Sequence, residues 1–252
     1  WMKKEMDRPF VLFDEKLYSV AILKVSSELY YWFLRIHHLI ADGWSFPLIF
    51  TAVAEQYNFL SGNGPQPLPI PAFKDRIPDI LAYNDSAQFE KDKIFWKGQM
   101  QDSFSPLFPT PVQFIAKSIR ISLELKTETQ QSIEELSKKL KCTSFHLYLA
   151  VFYLWFRKVY QRKDLVIGLP MVNRPKAEDK QTLGLFMKTY PLKLSFEDGI
   201  VLEELIQGIK SQLRNTYRHA RLGIGEIVKL KTNDSHTALF DLSISYINIF
   251  WK

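Results

Sequence analysis

Two adjacent histidines, His37 and His38, stand just ahead of Asp42 and Gly43 in the stretch HHLIADG. An imidazole titrates at about 6.5 when unperturbed, so it can take and return a proton at neutral pH. An aspartate on the turn beyond can anchor the loop, and a glycine lets a ligand approach the backbone closely. Three chemistries compete for this set. In the first, the histidines are hydrogen-bonded core residues and Asp-Gly makes a turn. In the second they bind a metal, but neighbouring side chains on an extended chain point to opposite faces, so one ion cannot readily take both rings, and no third ligand stands at a suitable spacing. In the third, one imidazole projects into a cavity to handle protons while its neighbour turns into the fold. The third explains most of the residues, and no metal is expected.

Elements must hold that loop in place. ELYYWFLRI, residues 28 to 36, is a continuous apolar run of strand length and predicts a strand buried on both faces, with the histidines at its end. After Gly43, Ser45 is a candidate cap for a helix that tolerates Pro47 early and repeats Leu48, Ile49, Ala52, Val53, Tyr57 and Leu60, stopping at SGNGPQPLPIP. DSAQFEKDKIFWKGQM predicts a second helix, and QDSFSPLFPTP, residues 101 to 111, a linker. KSIRISLELK alternates as a half-buried strand with Ile119, Ile121, Leu123 and Leu125 on one face. TETQQSIEELSKKL opens on a capping-box pattern from Thr127 to Gln130 and spaces Ile133, Leu136 and Leu140 along one side. TSFHLYLAVFYLWFRKVY is apolar almost all round, which predicts a central helix covered on several sides. LVIGLPMV, part of TLGLFMKTYPLKLSF and LFDLSISYINIFW predict strands, and LEELIQGIKSQLRNTYRHA a long helix. The interleaving points to an α/β protein of two α+β sandwich lobes, residues 1–105 and 106–252, joined by the Pro-rich linker.

Composition narrows the class. The 252 residues are 46% hydrophobic and 24% charged, ample for a buried core. The net charge of +6 is scattered among acids, as in KKEMDR, which argues against nucleic acid and suits an acidic protein partner. No window reaches the roughly 18 apolar residues of a membrane span. Cys142 is the one cysteine, which excludes an internal disulfide or a multi-cysteine zinc site and favours a reducing compartment, so a cytoplasmic location is expected. Cys142 itself, His146 on the apolar helix and His236 in a polar loop are read as structural.

HHLIADGWS resembles the HHxxxDG motif of nonribosomal peptide synthetase condensation domains and, more widely, of chloramphenicol acetyltransferase-like acyltransferases. Further matches come in the family's order: FWKGQM is similar to the tryptophan-bearing helix, VIGLPMVNRP to the stretch ending in Asn-Arg, LGLFMKTYPL to the Gly-x-Phe-Val-Asn-Thr motif and LFDLSISY to the Phe-Asp strand. The resemblance implies a chloramphenicol acetyltransferase-like fold, two lobes facing across a cleft. It also implies a chain that lacks parts of the family's fold at both ends, where an arginine-bearing motif would precede the histidines.

The resemblance implies an activity as well. The amine of an aminoacyl group attacks an acyl or peptidyl thioester, both delivered on 4'-phosphopantetheine arms of donor and acceptor peptidyl carrier proteins, with no tightly bound cofactor. His38 would orient the amine and take its proton, and the Gly43 amide would face the oxyanion. His37 would pack, and Asp42 would pair with an arginine of the other lobe, matched here by Arg174. Trp44-Ser45 after the motif fits peptide-bond-forming members better than epimerisation domains. Two departures bear on acceptor handling or lobe closure: Lys188 occupies the motif's asparagine, and RHARLGIGEI keeps only His219 of a later His-Gln-Asp-x-Pro-Phe pattern. The alternatives are a stand-alone acyltransferase using coenzyme A thioesters and a catalytically impaired module that docks carriers.

Overall fold

A computed structural model describes residues 1–101, 107–108, 118–230 and 239–247. In chain order the elements are α1 (Met2–Asp7), β1 (Tyr18–Lys24), β2 (Tyr30–Ile36), α2 (Ser45–Leu60), a 3-10 turn at Phe73–Arg76, α3 (Ile77–Asn84), α4 (Ala87–Gln99), α5 (Thr127–Lys139), α6 (Ser144–Tyr160), β3 (Asp164–Met171), α7 (Ala177–Gln181), β4 (Lys188–Ser195), α8 (Leu202–Arg218) and α9 (Ile224–Lys229). Helices and strands interleave, as the α/β reading requires. They form two compact units, Trp1–Asp85 with Val172–Met187, and Ser86–Met171 with Lys188–Lys252. The expected linker falls largely outside the described residues, so the lobe bounds drawn through it remain an expectation.

In the first unit β1 and β2 form an antiparallel pair in which Tyr18 faces Ile36, Val20 faces Leu34 and Ile22 faces Trp32. Strand alternation puts these six on one face and Ala21 and Phe33 on the other. Trp1 packs edge-on against Phe33, which is buried, whereas Tyr30, Tyr31 and Trp32 are exposed. The expectation of a strand buried on both faces is therefore corrected. The described sheet has two strands, and its Val20–Trp32 face lines an open apolar cavity of about 750 Å³ with Ile40, Ala41, Ile49 and Val53. At the far end of α2 the chain turns through Gly62, whose positive φ of 75° suits a residue without a Cβ and whose N–H closes on the Phe59 carbonyl.

In the second unit β3 and β4 pair antiparallel, from Asp164 opposite Ser195 to Met171 opposite Lys188. Leu165, Ile167, Leu169 and Met171 join Tyr190, Leu192 and Leu194 in the core. α8 presents Leu205, Ile206, Ile209 and Leu213 to it at helical spacing, and Leu136 of α5 and Leu140 at its C-cap pack there as well. α6 buries Leu147, Leu149, Ala150, Tyr153 and Phe156. Its opposite side is open, with Val151, Trp155 and Val159 more than half exposed, which corrects the expectation of cover on several sides. Apolar composition all round shows that a helix can be enclosed, not that enough neighbours exist to enclose it.

Two local expectations also change. Among the described residues, 118–126 make no ladder, and Ile119, Ile121 and Leu123 are exposed, because alternation supplies one face of a strand but not the partner that satisfies its backbone. Thr127 is the first residue of α5 rather than its cap, so the anticipated capping box is absent there. Such a box occurs instead on α6, between Thr143 and His146. The last expected strand is reduced to a parallel bridge of Ser243 with Gly168, and residues 248–252 lie outside the described residues. Gly168 has a reason to be glycine: the Phe240 ring sits 2.3 Å from where a Cβ would be.

Candidate active site

The HHLIADG loop leaves β2 at Ile36 and enters α2 at Ser45. The His37 N–H donates to the Leu17 carbonyl at 2.8 Å, and its carbonyl accepts from Ile40 N–H at 3.1 Å, which closes the turn. Its Nδ1 accepts from Leu39 N–H at 3.0 Å and Phe10 packs edge-on against the ring. Those contacts hold the His37 ring against the turn. His38, the next residue, is exposed, and among the described residues its ring has no hydrogen-bond partner.

Asp42 has 1% of its surface exposed. Oδ1 accepts from the Ser45 N–H and hydroxyl, each at 3.1 Å, and from Arg174 Nη2 at 3.0 Å. Oδ2 accepts from the backbone N–H groups of Phe186 at 2.9 Å and Met187 at 3.1 Å. Asp42 thus supplies the cap chemistry that the sequence assigns to Ser45, and the Ser45 hydroxyl, with one proton to give, lies 3.1 Å from both Asp42 Oδ1 and the Gly184 carbonyl. Burial pushes the Asp42 carboxyl up, but these two amides, Arg174 and Ser45 together outweigh it and hold the pKa below the usual carboxylate value.

Arg174 is buried with it. Nη1 donates to the carbonyls of Asp179 and, at 2.6 Å, Thr182, Nη2 donates to Gly184 at 3.0 Å, and the guanidinium lies 4.1 Å from the Phe186 ring centroid. Burial lowers its pKa and the charges of Asp42 and Asp179 oppose that. A guanidinium starts so far above neutrality that it keeps its charge. The arginine expected from the other lobe lies, by contrast, in the same compact unit as Asp42, because Val172–Met187 packs with Trp1–Asp85. Gly184 lets this happen: Phe73 occupies the space of a Cβ there, at 2.3 Å. Arg76 adds a second tie to the segment, with Nε 2.7 Å from the buried carboxylate of Asp179.

Gly43 is exposed and its backbone is not left-handed. Beyond its chain neighbours, a Cβ there would have one atom of the described residues within 4 Å, Met187 Sδ at 3.8 Å. The loop thus combines a rigid buried anchor with two accessible groups, an imidazole and a bare stretch of backbone. That arrangement can orient a ligand and move a proton. Among the described residues no group of His, Cys, Asp and Glu could hold a metal ion.

Other sequence candidates lie in the second unit. Half-buried Lys188 opens β4 and donates to the Arg221 carbonyl at 3.3 Å, with burial and then Arg221 lowering its pKa. His219 Nδ1 is 2.7 Å from Asp92 Oδ1, its ring stacks on Phe95 at 4.1 Å, and its carbonyl accepts from Trp96 Nε1. Asp92 is fully buried although it sits in the charged run EKDK, which reads as a solvated face. Only its placement three residues before Phe95, on the side of α4 that carries Trp96, hinted at burial. Cys142 is half-buried, with its thiol pushed up by burial, and His236 lies outside the described residues.

Residues 1–252 match the Condensation domain family throughout. The chain is a condensation domain family member. It is 26% identical over its whole length to surfactin synthase subunit 1 of Bacillus subtilis (strain 168), of which it spans 7%, and 29% identical over 82% of its length to enterobactin synthase component F of Escherichia coli (strain K12), of which it spans 16%. The first condensation domain of the calcium-dependent antibiotic synthetase has the same fold, with a TM-score of 0.79 at 21% identity, covering 97% of this chain and 56% of that one. VibH, a nonribosomal peptide synthetase condensation enzyme, gives 0.79 at 18% identity over 93% of this chain and 55% of its own. This condensation domain chain therefore spans about half the length of the solved chains it resembles, and its chloramphenicol acetyltransferase-like fold is shared with them. No helix among its described residues is long and apolar enough to cross a membrane.

Proposed function

We propose that this chain forms an amide bond within a nonribosomal peptide synthetase, by attack of a carrier-bound aminoacyl amine on a carrier-bound acyl or peptidyl thioester. The observation that carries the reading is the division of labour in HHLIADG, where Asp42 and Arg174 are locked and His38 and Gly43 are left accessible. The thioester is already activated, so the site has to position two substrates and handle one proton. The nitrogen lone pair bonds to the thioester carbon, His38 takes the ammonium proton that develops, and collapse expels the carrier thiolate, which takes a proton in turn. An α-amine titrates near 8, so about a tenth is already free at neutral pH and a strong base is unnecessary. Orientation is then a large part of the contribution of His38. The Gly43 amide faces the oxyanion in this reading.

The donor and acceptor are peptidyl carrier proteins with phosphopantetheine arms, and the reaction takes place in the cytoplasm. One matched fold, a starter condensation domain of rhizomide synthetase, was solved with an eight-carbon acyl-coenzyme A, so acyl-coenzyme A belongs among the donors tested. Intact His38, Asp42 and Gly43 favour catalysis over a module that only docks carriers. The experiment is His38→Ala with carrier-bound and coenzyme A-bound donors in parallel. Condensation is expected to fall by about 10² or more with the fold retained. Undiminished product from a folded variant would remove His38 from the mechanism.

A further inference from the structure

We infer that Met187 sets the size of the group admitted beside Gly43, which makes it a specificity residue of the proposed reaction and rests on that reading of the site. Met187 is the residue whose side chain stands over the bare backbone of Gly43: its thioether sulfur lies 3.8 Å from the position a Cβ would take, with no other atom of the described residues within 4 Å beyond the chain neighbours. Anything that approaches Gly43 from that side meets this thioether first. The Met187 backbone is fixed, because its N–H donates to Asp42 Oδ2 at 3.1 Å, beside the Phe186 N–H at 2.9 Å. Asp42 in turn holds the loop that carries Gly43 and His38, so one carboxylate sets the spacing between the wall and the reacting backbone.

The Met187 side chain can adapt while its backbone is held. Methionine has three rotatable bonds and a polarisable sulfur, and it fits itself to irregular neighbours. Phe186, one residue earlier, cannot move in this way, since its ring is buried between Phe73 and the Arg174 guanidinium. The arrangement is a pinned backbone with one flexible side chain projecting over the glycine. A shorter side chain at 187 leaves the amide-to-Asp42 bond intact and opens space. A bulkier one closes it.

Acyl bulk is the quantity to vary. Pantetheine ketone analogues carrying acetyl, isovaleryl and phenylacetyl groups, which cannot be hydrolysed, are titrated calorimetrically into the full chain and into Met187→Ala, Met187→Leu and Met187→Trp. The same acyl series as thioesters is run in single-turnover condensation. One methylene in an apolar pocket is worth about 10-fold or more in discrimination. The phenylacetyl to acetyl affinity ratio is therefore expected to rise about 10-fold or more in Met187→Ala, to fall in Met187→Trp and to stay near the original in Met187→Leu. Equal ratios in all four proteins overturn the assignment, and Met187→Leu shows whether loss of folding explains any change. A ratio that shifts in binding while His38→Ala still condenses normally leaves Met187 as a selectivity residue and overturns the role of His38 instead.

Discussion

At Asp42 the cost of burying a charge and the partners that offset it can be read atom by atom. Removing one member of such a pair leaves the other charge uncompensated, which costs about 3 to 5 kcal/mol in buried pairs. In Asp42→Asn the amide would also point a donor at donors, from Phe186, Met187 or Arg174. We expect Asp42→Asn and Arg174→Ala each to lower Tm and turnover together, and the double variant to lose less than the sum; additive losses in a thermal-denaturation cycle would mean the two act independently. The pH dependence has a definite sign. The folded carboxyl is held below its unfolded value of about 3.9, so its contribution is complete above that pH and disappears as pH falls toward the folded value. Wild type should accordingly lose stability below about pH 4 more steeply than Asp42→Asn.

At the scale of the element, α6 is the clearest case of a helix end set by its own sequence. Thr143 Oγ1 accepts from the His146 N–H at 3.4 Å while His146 Nδ1 accepts from the Thr143 N–H at 3.1 Å. The second bond needs a neutral ring. Burial, then the Lys210 charge, hold the His146 pKa below 6.5, so the neutral form is favoured in the fold. Stability from this cap is therefore complete above the unfolded value of about 6.5 and is lost as pH falls from there toward the lower folded value. His146→Ala should cost about 1 kcal/mol at pH 7.5, the usual size of a cap. The Tm gap to wild type should narrow at pH 5.5, and a gap that is constant with pH would rule out the neutral acceptor.

For the molecule as a whole, each compact unit leaves apolar surface uncovered among its described residues. In the first unit Val20 is 53% and Ile22 73% exposed on the open face of β1. An apolar patch of this kind marks an interaction surface or an aggregation liability. Side chains so exposed contribute little burial to the folded state, so Ile22→Lys should change stability by only about 0.5 kcal/mol. It should nevertheless lower binding of an apolar fluorescent dye and reduce concentration-dependent self-association of the chain. Dye binding that does not respond to Ile22→Lys would show the face to be covered in solution.

Much of the fold and site was legible in the amino-acid order, because some determinants are local. Apolar runs and helical spacings located β2, β3, β4, α2, α4, α5, α6 and α8, and the resemblance to condensation domains named Asp42 and Arg174 as a pair. Periodicity states which face of an element is apolar. It does not state whether another element lies on that face, which is why β2, α6 and residues 118–126 are more open than their composition suggests. Nor does it say where a distant segment returns. Asp42 meets Arg174 across 132 positions and Met187 across 145, and such contacts are decided by how Val172–Met187 packs, with Gly184 fitting under Phe73 and Arg76 reaching Asp179. Only tertiary structure could put the Met187 thioether over Gly43, because that position depends on the summed geometry of contacts no local pattern encodes.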